Sequence, residues 1–138
     1  MVMVGFNFTK LNVEKISAPK GKIKISNNVA IKNVTERDLS LGKTKEQGIN
    51  FEFEFVSKFN PGIGEIVLRG DILYMEPPEK IKEITKSWKK DKKLPQQVMT
   101  SILNNILVKC NIEALILSQT VNLPPPIPLP KVSVGEDK

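Results

Sequence analysis

Ile49-Asn-Phe-Glu-Phe-Glu-Phe55 is the stretch that decides the fold, because its isoleucine and three phenylalanines alternate with an asparagine and two glutamates. Alternation with period two places the apolar side chains on one face of a β-strand and the polar ones on the other. A row of phenylalanines on one face must be covered, since exposed apolar area is unfavourable in water. This segment therefore predicts the centre of a sheet with one buried face.

Similar alternation lies on both sides of this strand. Residues Glu65–Met75 return as a hairpin partner after the turn sequence 59–64, Phe-Asn-Pro-Gly-Ile-Gly, and place on one parity Ile66, Leu68, Ile72 and Tyr74. Upstream, residues 6–13 predict a strand with a β-bulge where the apolar phase shifts, and residues 23–31 predict another. Asn27-Asn28 within the latter is either a tight turn or a weak point. No helical pattern separates these strands, so we predict an antiparallel meander.

Two helices are predicted after the strands. Residues 79–89 carry two isoleucines and Trp88 at helical spacing, with lysines on the other side. A longer pattern begins after Leu94-Pro95 and continues to Cys110 and beyond, where apolar residues spread round the helix. Such a helix is usually buried on both sides, and we expect the sheet on one side and a second subunit on the other. The predicted class is α+β, a four-stranded antiparallel sheet with a short and a long helix packed on one face.

The long helix is followed by Leu123-Pro-Pro-Pro-Ile-Pro-Leu-Pro130. Proline fixes φ and has no backbone N–H, so this segment is expected to be an extended polyproline-type rod. Its leucines and Ile127 give it apolar surface to bury, which favours packing across its own fold over recognition of Pro125-x-x-Pro128 by an SH3-like module. We expect one domain over residues 1–132 and a disordered polar tail at 133–138.

The composition excludes several classes of function. The chain has no histidine and a single cysteine, Cys110, so Ser/His and Cys/His nucleophile pairs, internal disulfides and multi-thiolate zinc sites are excluded. Gly42-Lys43-Thr44 resembles the end of a phosphate-binding loop, but Arg37 occupies the position of its first glycine. We expect no catalytic residue, no metal and no cofactor, and hence a protein that is not an enzyme.

The location of the protein is predicted from its apolar runs. None of them reaches the roughly 18 residues that cross a bilayer, and the N-terminal residues lack the pattern of a signal peptide. We therefore expect a cytoplasmic protein with no stable membrane insertion.

A basic segment of the chain has a composition that is typical of nucleic-acid binding. Residues 80–93 contain seven lysines with Trp88 among them, a composition that serves phosphate contacts and base stacking. This pattern indicates an RNA or ribosome-associated binding protein. The competing interpretation is a solvated helix face with Trp88 turned inward.

Three short motifs resemble the SecB export chaperones. Lys15-Ile-Ser-Ala-Pro19 is similar to that family's strand ending in an Ala-Pro step, and Glu65-Ile-Val-Leu-Arg-Gly-Asp-Ile-Leu-Tyr74 to its third-to-fourth strand pattern. Ser101-Ile-Leu, followed by the return through Val121-Asn-Leu-Pro to Val132, resembles its long helix and Asn-Leu-x-Pro-Val return. The resemblance implies a homotetramer, built as a dimer of dimers, that holds unfolded or precursor polypeptides in apolar grooves without ATP.

On this interpretation we expect an ATP-independent holdase that forms a dimer or tetramer, with RNA binding as the alternative. The candidate peptide-binding residues are Tyr74, Met75, Trp88, Met99, Leu123, Ile127 and Leu129. The candidate oligomer-interface residues are Ile102, Ile106, Ile112, Leu115 and Ile116.

Overall fold

Four β-strands followed by two α-helices form the fold, in a computed structural model that describes residues 2–18, 20–41 and 44–130. The strands are β1 (Val2–Lys15), β2 (Lys24–Leu41), β3 (Thr44–Asn60) and β4 (Gly64–Met75), and the helices are α1 (Pro78–Asp91) and α2 (Gln96–Thr120). The predicted α+β class, with a four-stranded antiparallel sheet, is thereby confirmed. The predicted polar tail at 133–138 and Gly42-Lys43 of the loop-like motif lie outside the described residues.

The strands lie in the order β1-β4-β3-β2, and all neighbours are antiparallel. The predicted meander is therefore correct for β2, β3 and β4 but wrong for β1, which pairs with β4 instead of β2. Pairing of consecutive strands is only a tendency. Here β1 lies at the far edge beside β4, so the two most apolar strands, β3 and β4, take the centre and each has a neighbour on both sides.

The register fixes which side chains share a face of the sheet. Phe55 of β3 lies opposite Leu68 of β4, and both are fully buried. The opposite face is polar: Glu54 and Arg69 form an ion pair there, with Arg69 Nε 2.7 Å from Glu54 Oε2. This hydrogen bond holds the pKa of Glu54 below its ordinary value. The alternation in the sequence thus separates a core face from a solvated face, as predicted.

Two local predictions in the edge strands have different outcomes. The register of β1 on β4 shifts between Phe8 and Lys10, which confirms a β-bulge where the apolar phase changes. β2 pairs with β3 continuously through Asn27 and Asn28, so the turn that was one of two interpretations is not formed there.

Both helices cover the phenylalanine-bearing face of the sheet and join one hydrophobic core with it. α1 buries Ile81, Ile84 and Trp88, in agreement with their spacing. α2 buries one residue in four along its length: Val98, Ile102, Ile106, Cys110, Ala114 and Ser118. By length and composition alone α2 is also apolar enough to cross a membrane, a property that helices in the core of soluble proteins share.

Candidate functional site

The proline-rich segment Leu123–Pro130, here called the strap, returns from the end of α2 across the sheet. Its first side chain, Leu123, is buried beside Gly64 at the start of β4. A Cβ at Gly64 would lie 3.1 Å from both methyl groups of Leu123, tighter than ordinary van der Waals contact. The missing side chain of this glycine therefore makes room for Leu123 and for the carbonyl oxygen of Glu14 on β1, which would lie 2.7 Å from the same Cβ.

A chain of hydrogen bonds holds the middle of the strap. Ser57 Oγ on β3 donates to Asn27 Oδ1 on β2 at 2.6 Å, and Asn27 Nδ2 donates to the carbonyl of Pro126 at 2.9 Å. Proline has no backbone N–H, so the backbone of Pro126 can form a hydrogen bond only through its carbonyl oxygen, and the Asn27 amide supplies the donor. The strap is therefore packed on its own fold, as its alternation of apolar residues and prolines favoured.

A groove of about 700 Å³ lies between the strap and the last turns of α2. We call it the strap groove. It is lined by Leu115, Ser118, Gln119, Asn122, Leu123, Pro124, Pro125 and Leu129. None of these lining residues is charged, and the exposed Gln119 and Asn122 carry amide groups that can pair with peptide backbone. This chemistry suits an extended apolar segment whose backbone groups still require hydrogen-bond partners.

The outer face of α2 extends the apolar surface beyond the groove. Val108, Ile112 and Ile116 recur at every fourth residue and are 59%, 55% and 52% exposed. They lie on the side of α2 away from its buried stripe, and Lys109 and Glu113 are the only charged residues of the helix. A stripe of this kind on a soluble domain normally marks an interaction surface.

Among the side chains that the structure describes, the remaining large exposed apolar ones lie at one edge of the sheet, with the strap's Leu129 as the exception. Met3, Val4 and Leu11 lie on β1 and Ile16 lies directly after it. β1 pairs with β4 on one side only, so the backbone groups on its other side are open. On the opposite edge strand, β2, no large apolar side chain is exposed among the described residues. The two edges of the sheet therefore differ in chemistry.

The predicted peptide-binding residues divide between the groove and the core. Leu123 and Leu129 line the strap groove, and Ile127 is half-buried on the strap. Tyr74 and Trp88 do not line the groove; they are 1% and 6% exposed and belong to the core.

Three of these residues lie elsewhere in the fold for identifiable reasons. Tyr74 shares the core parity of β4, and its hydroxyl accepts a 2.8 Å hydrogen bond from Asn105 Nδ2; burial raises the pKa of this phenol. Met75, half-buried, lines a separate pocket of acidic character near Pro77. Met99, also half-buried, packs against the core. None of the three lines the strap groove.

The predicted oligomer-interface residues are also divided. Ile102 and Ile106 are completely buried against the sheet, so neither side chain is on the surface that a second subunit would contact. Ile112 and Ile116 are exposed, and the half-buried Leu115 lines the groove. Val108, which was not among the predicted residues, lies four residues before Ile112 and continues the same exposed stripe.

The burial of Trp88 separates the two interpretations of the basic segment. Its indole Nε1 is buried without a hydrogen-bond partner among the described residues, and the Nζ of Lys92 lies 5.5 Å from the ring centroid. A ring in this position is not available to stack on a nucleic-acid base. The lysines around it remain exposed.

Truncation of this ring tests its assignment to the core. We expect Trp88→Ala to lower the free energy of unfolding by about 3–5 kcal/mol, because it removes a large buried side chain. The affinity of the remaining folded protein for an apolar peptide should not change. Urea denaturation and peptide anisotropy on the same sample measure both. A stable variant with weakened peptide binding would contradict the core assignment.

Cys110 is a core residue and not a reactive thiol. Its side chain is fully buried on the sheet side of α2, and burial raises its pKa to about 12. A thiol in this state stays protonated at neutral pH and is a poor nucleophile.

Neither a search for metal-ligand clusters nor comparison with known proteins assigns a function to this chain. The described residues contain no group of three or more histidine, cysteine, aspartate or glutamate side chains placed to hold a metal ion. Comparisons with protein-family models, with curated proteins and with solved structures find no match to this chain.

Proposed function

We propose that the protein is an ATP-independent holdase that binds extended apolar segments of unfolded polypeptides. The strap groove carries this proposal, because it joins an uncharged, mainly apolar lining to side-chain amides that pair with peptide backbone. Contacts of these two kinds do not depend on which apolar side chains the client offers. They give affinity with little sequence specificity, which is what a protein with many clients requires.

The exposed outer face of α2 supports the same proposal. Val108, Ile112 and Ile116 lie beyond the groove on the same helix that contributes Leu115 to its wall. A client segment leaving the groove has further apolar surface to contact there. The three motifs that resemble the SecB export chaperones point to the same class of function.

The proposal includes self-association through β1. An edge strand with open backbone groups and exposed apolar side chains is prone to pair with another strand, and natural proteins normally protect such edges with charge or cover. Antiparallel pairing of β1 with β1 of a second copy would satisfy the open backbone groups and bury Leu11. We therefore propose a homodimer through this edge, which leaves the outer face of α2 free for client segments.

Charge on the β1 edge is expected to prevent this pairing. Leu11→Lys combined with Ile16→Lys places four like charges at a symmetric junction, which disfavours pairing of the two edges. We expect a monomer by sedimentation velocity at a concentration at which the wild type is dimeric or larger. Both side chains are exposed, so the folded monomer should persist. The matched change Asn28→Lys with Asn33→Lys on β2 should leave the assembly intact. Loss of assembly in the β2 variant, or its retention in the β1 variant, would contradict the assignment.

Suppression of aggregation tests the holdase activity itself. A chemically unfolded client is diluted into buffer with the protein at near-stoichiometric amounts, and light scattering is followed without ATP. We expect suppression that changes little between low and moderate salt, because apolar burial is not screened. If the protein leaves aggregation unchanged at a several-fold excess while it binds RNA tightly, the holdase proposal is wrong.

A further inference from the structure

Most of the net positive charge of this protein comes from one short part of the chain. Residues 78–93, which are α1 and the connection after it, contain seven lysines against three acidic residues, a net charge of +4 out of +6 for the whole chain. All seven lysines are exposed. The helix turns its apolar residues into the core, so its outward surface is basic and has no large apolar side chain.

Four of these lysines form a row along one side of α1. Lys82, Lys86 and Lys89 follow at spacings of four and three residues, and Lys90 lies four residues after Lys86. With a rise of 1.5 Å per residue, the row is about 12 Å long. We call these four residues the lysine row.

The lysine row is not neutralised by the rest of the fold. Among the described residues none of its lysines lies within 4.0 Å of a carboxylate, whereas Lys32 on the sheet is 3.7 Å from Glu54. Glu79 and Glu83 lie on the same helix but leave the segment strongly positive. A surface of like charges held together in this way attracts a polyanion.

We propose that the lysine row binds the phosphate backbone of double-stranded nucleic acid without reading its sequence. Trp88 is buried, so the surface offers no ring for stacking on unpaired bases, and the row contains no arginine for bidentate reading of guanine. Lysine acts on phosphate as a point charge. The surface is therefore suited to recognising charge density and not base identity.

Other anionic partners fit this surface less well. Insertion into a membrane needs exposed apolar side chains beside the basic ones, but Ile81, Ile84 and Trp88 of α1 are all buried. An acidic peptide would form solvent-exposed ammonium–carboxylate pairs worth about 0–1 kcal/mol each. A nucleic-acid duplex carries a condensed counterion layer, and its release adds a favourable contribution that separate carboxylates do not provide. This function is independent of the strap groove and adds a second binding surface to the proposed holdase.

Fluorescence anisotropy with 20-base-pair duplexes of RNA and of DNA, titrated between 50 and 200 mM salt, tests the proposal. Four phosphate contacts predict a slope of about −3.6 in the plot of log affinity against log salt. The variant Lys82→Gln/Lys86→Gln/Lys89→Gln/Lys90→Gln should lose at least about tenfold in affinity at 50 mM salt and most of the slope. The matched variant Lys10→Gln/Lys22→Gln/Lys24→Gln/Lys58→Gln removes the same charge from other exposed sites and should stay within about twofold of the wild type. Equal affinity for RNA and DNA shows that the backbone phosphate is the ligand.

Three results would overturn the proposal. They are no duplex binding at 50 mM salt, equal loss of affinity in both lysine variants, and competition by polyglutamate that exceeds competition by duplex at equal charge concentration. Circular dichroism checks that both variants fold, and glutamine keeps a helix propensity close to that of lysine. The peptide affinity of the lysine-row variant should equal that of the wild type, so failure of this proposal and failure of the holdase proposal are distinguishable.

Discussion

The double variant Leu115→Glu/Leu129→Glu is expected to bind an extended apolar peptide at least about 30-fold more weakly than the wild type. The change removes two leucines from a groove whose described lining carries no charge and puts two carboxylates in their place. Each leucine side chain buried on binding contributes about 1.5–3 kcal/mol. An apolar client has no group to pair with the new carboxylates, so desolvating them adds to the loss. Fluorescence anisotropy of a labelled peptide measures the dissociation constant.

Two controls separate loss of the groove from loss of the fold or a change in charge. Leu115→Met/Leu129→Met keeps apolar volume in the groove and should bind within about threefold of the wild type. Thr100→Glu/Asn104→Glu adds the same charge to exposed positions in the N-terminal half of α2, away from the groove, and should not change the dissociation constant. Normal binding by the groove variant, or equal weakening in the Thr100 and Asn104 variant, would show that clients bind elsewhere.

Ile106→Asp is expected to lower the free energy of unfolding by more than about 4 kcal/mol, a large part of the roughly 5–15 kcal/mol that stabilises a typical domain. Ile106 is 0% exposed, so its replacement would bury an unpaired carboxylate between α2 and the sheet. On the same helix Ile112 is 55% exposed, and Ile112→Asp should change stability by no more than about 1 kcal/mol. Urea denaturation followed by circular dichroism compares the two variants. Similar stability in both would contradict the orientation of α2 on the sheet.

The sheet was largely predictable because alternation reports directly on burial. The pattern from Ile49 to Phe55 identified the central strand and its buried face, and the shift after Phe8 identified the bulge. Alternation does not say which strand lies next to which. The placement of β1 beside β4 was therefore missed, although it determines which edge is open.

The positions of both helices in the sequence were predicted, but the face that α2 turns to the sheet was not. α2 is apolar on more than one face, so spacing alone could not distinguish the stripe that contains Ile106 from the one that contains Ile112. For Trp88 and Tyr74, by contrast, the sequence pattern was sufficient to predict burial. Trp88 lies four residues after the buried Ile84, and Tyr74 has the parity of the buried Ile72. Both patterns indicate core residues.

The groove depends on a contact that sequence spacing does not reveal. Leu123 and Leu129 were identified because they alternate with prolines after a helix. Their partners across the groove are in the last turns of α2, and that pairing follows from the return of the strap over Gly64 and its hydrogen bond to Asn27. Leu115 was accordingly predicted as an interface residue, whereas it lines the wall of the groove.

Site-specific photo-crosslinking tests the central claim most directly, namely that unfolded clients occupy the strap groove. A benzophenone amino acid replaces Gln119 on the wall of the groove in one sample and Glu52, exposed on the polar face of the sheet, in another. The account predicts strong crosslinks to an unfolded client from position 119 without ATP, lost on addition of excess apolar peptide, and few from position 52. Equal crosslinking from both positions, or none from position 119, would contradict it.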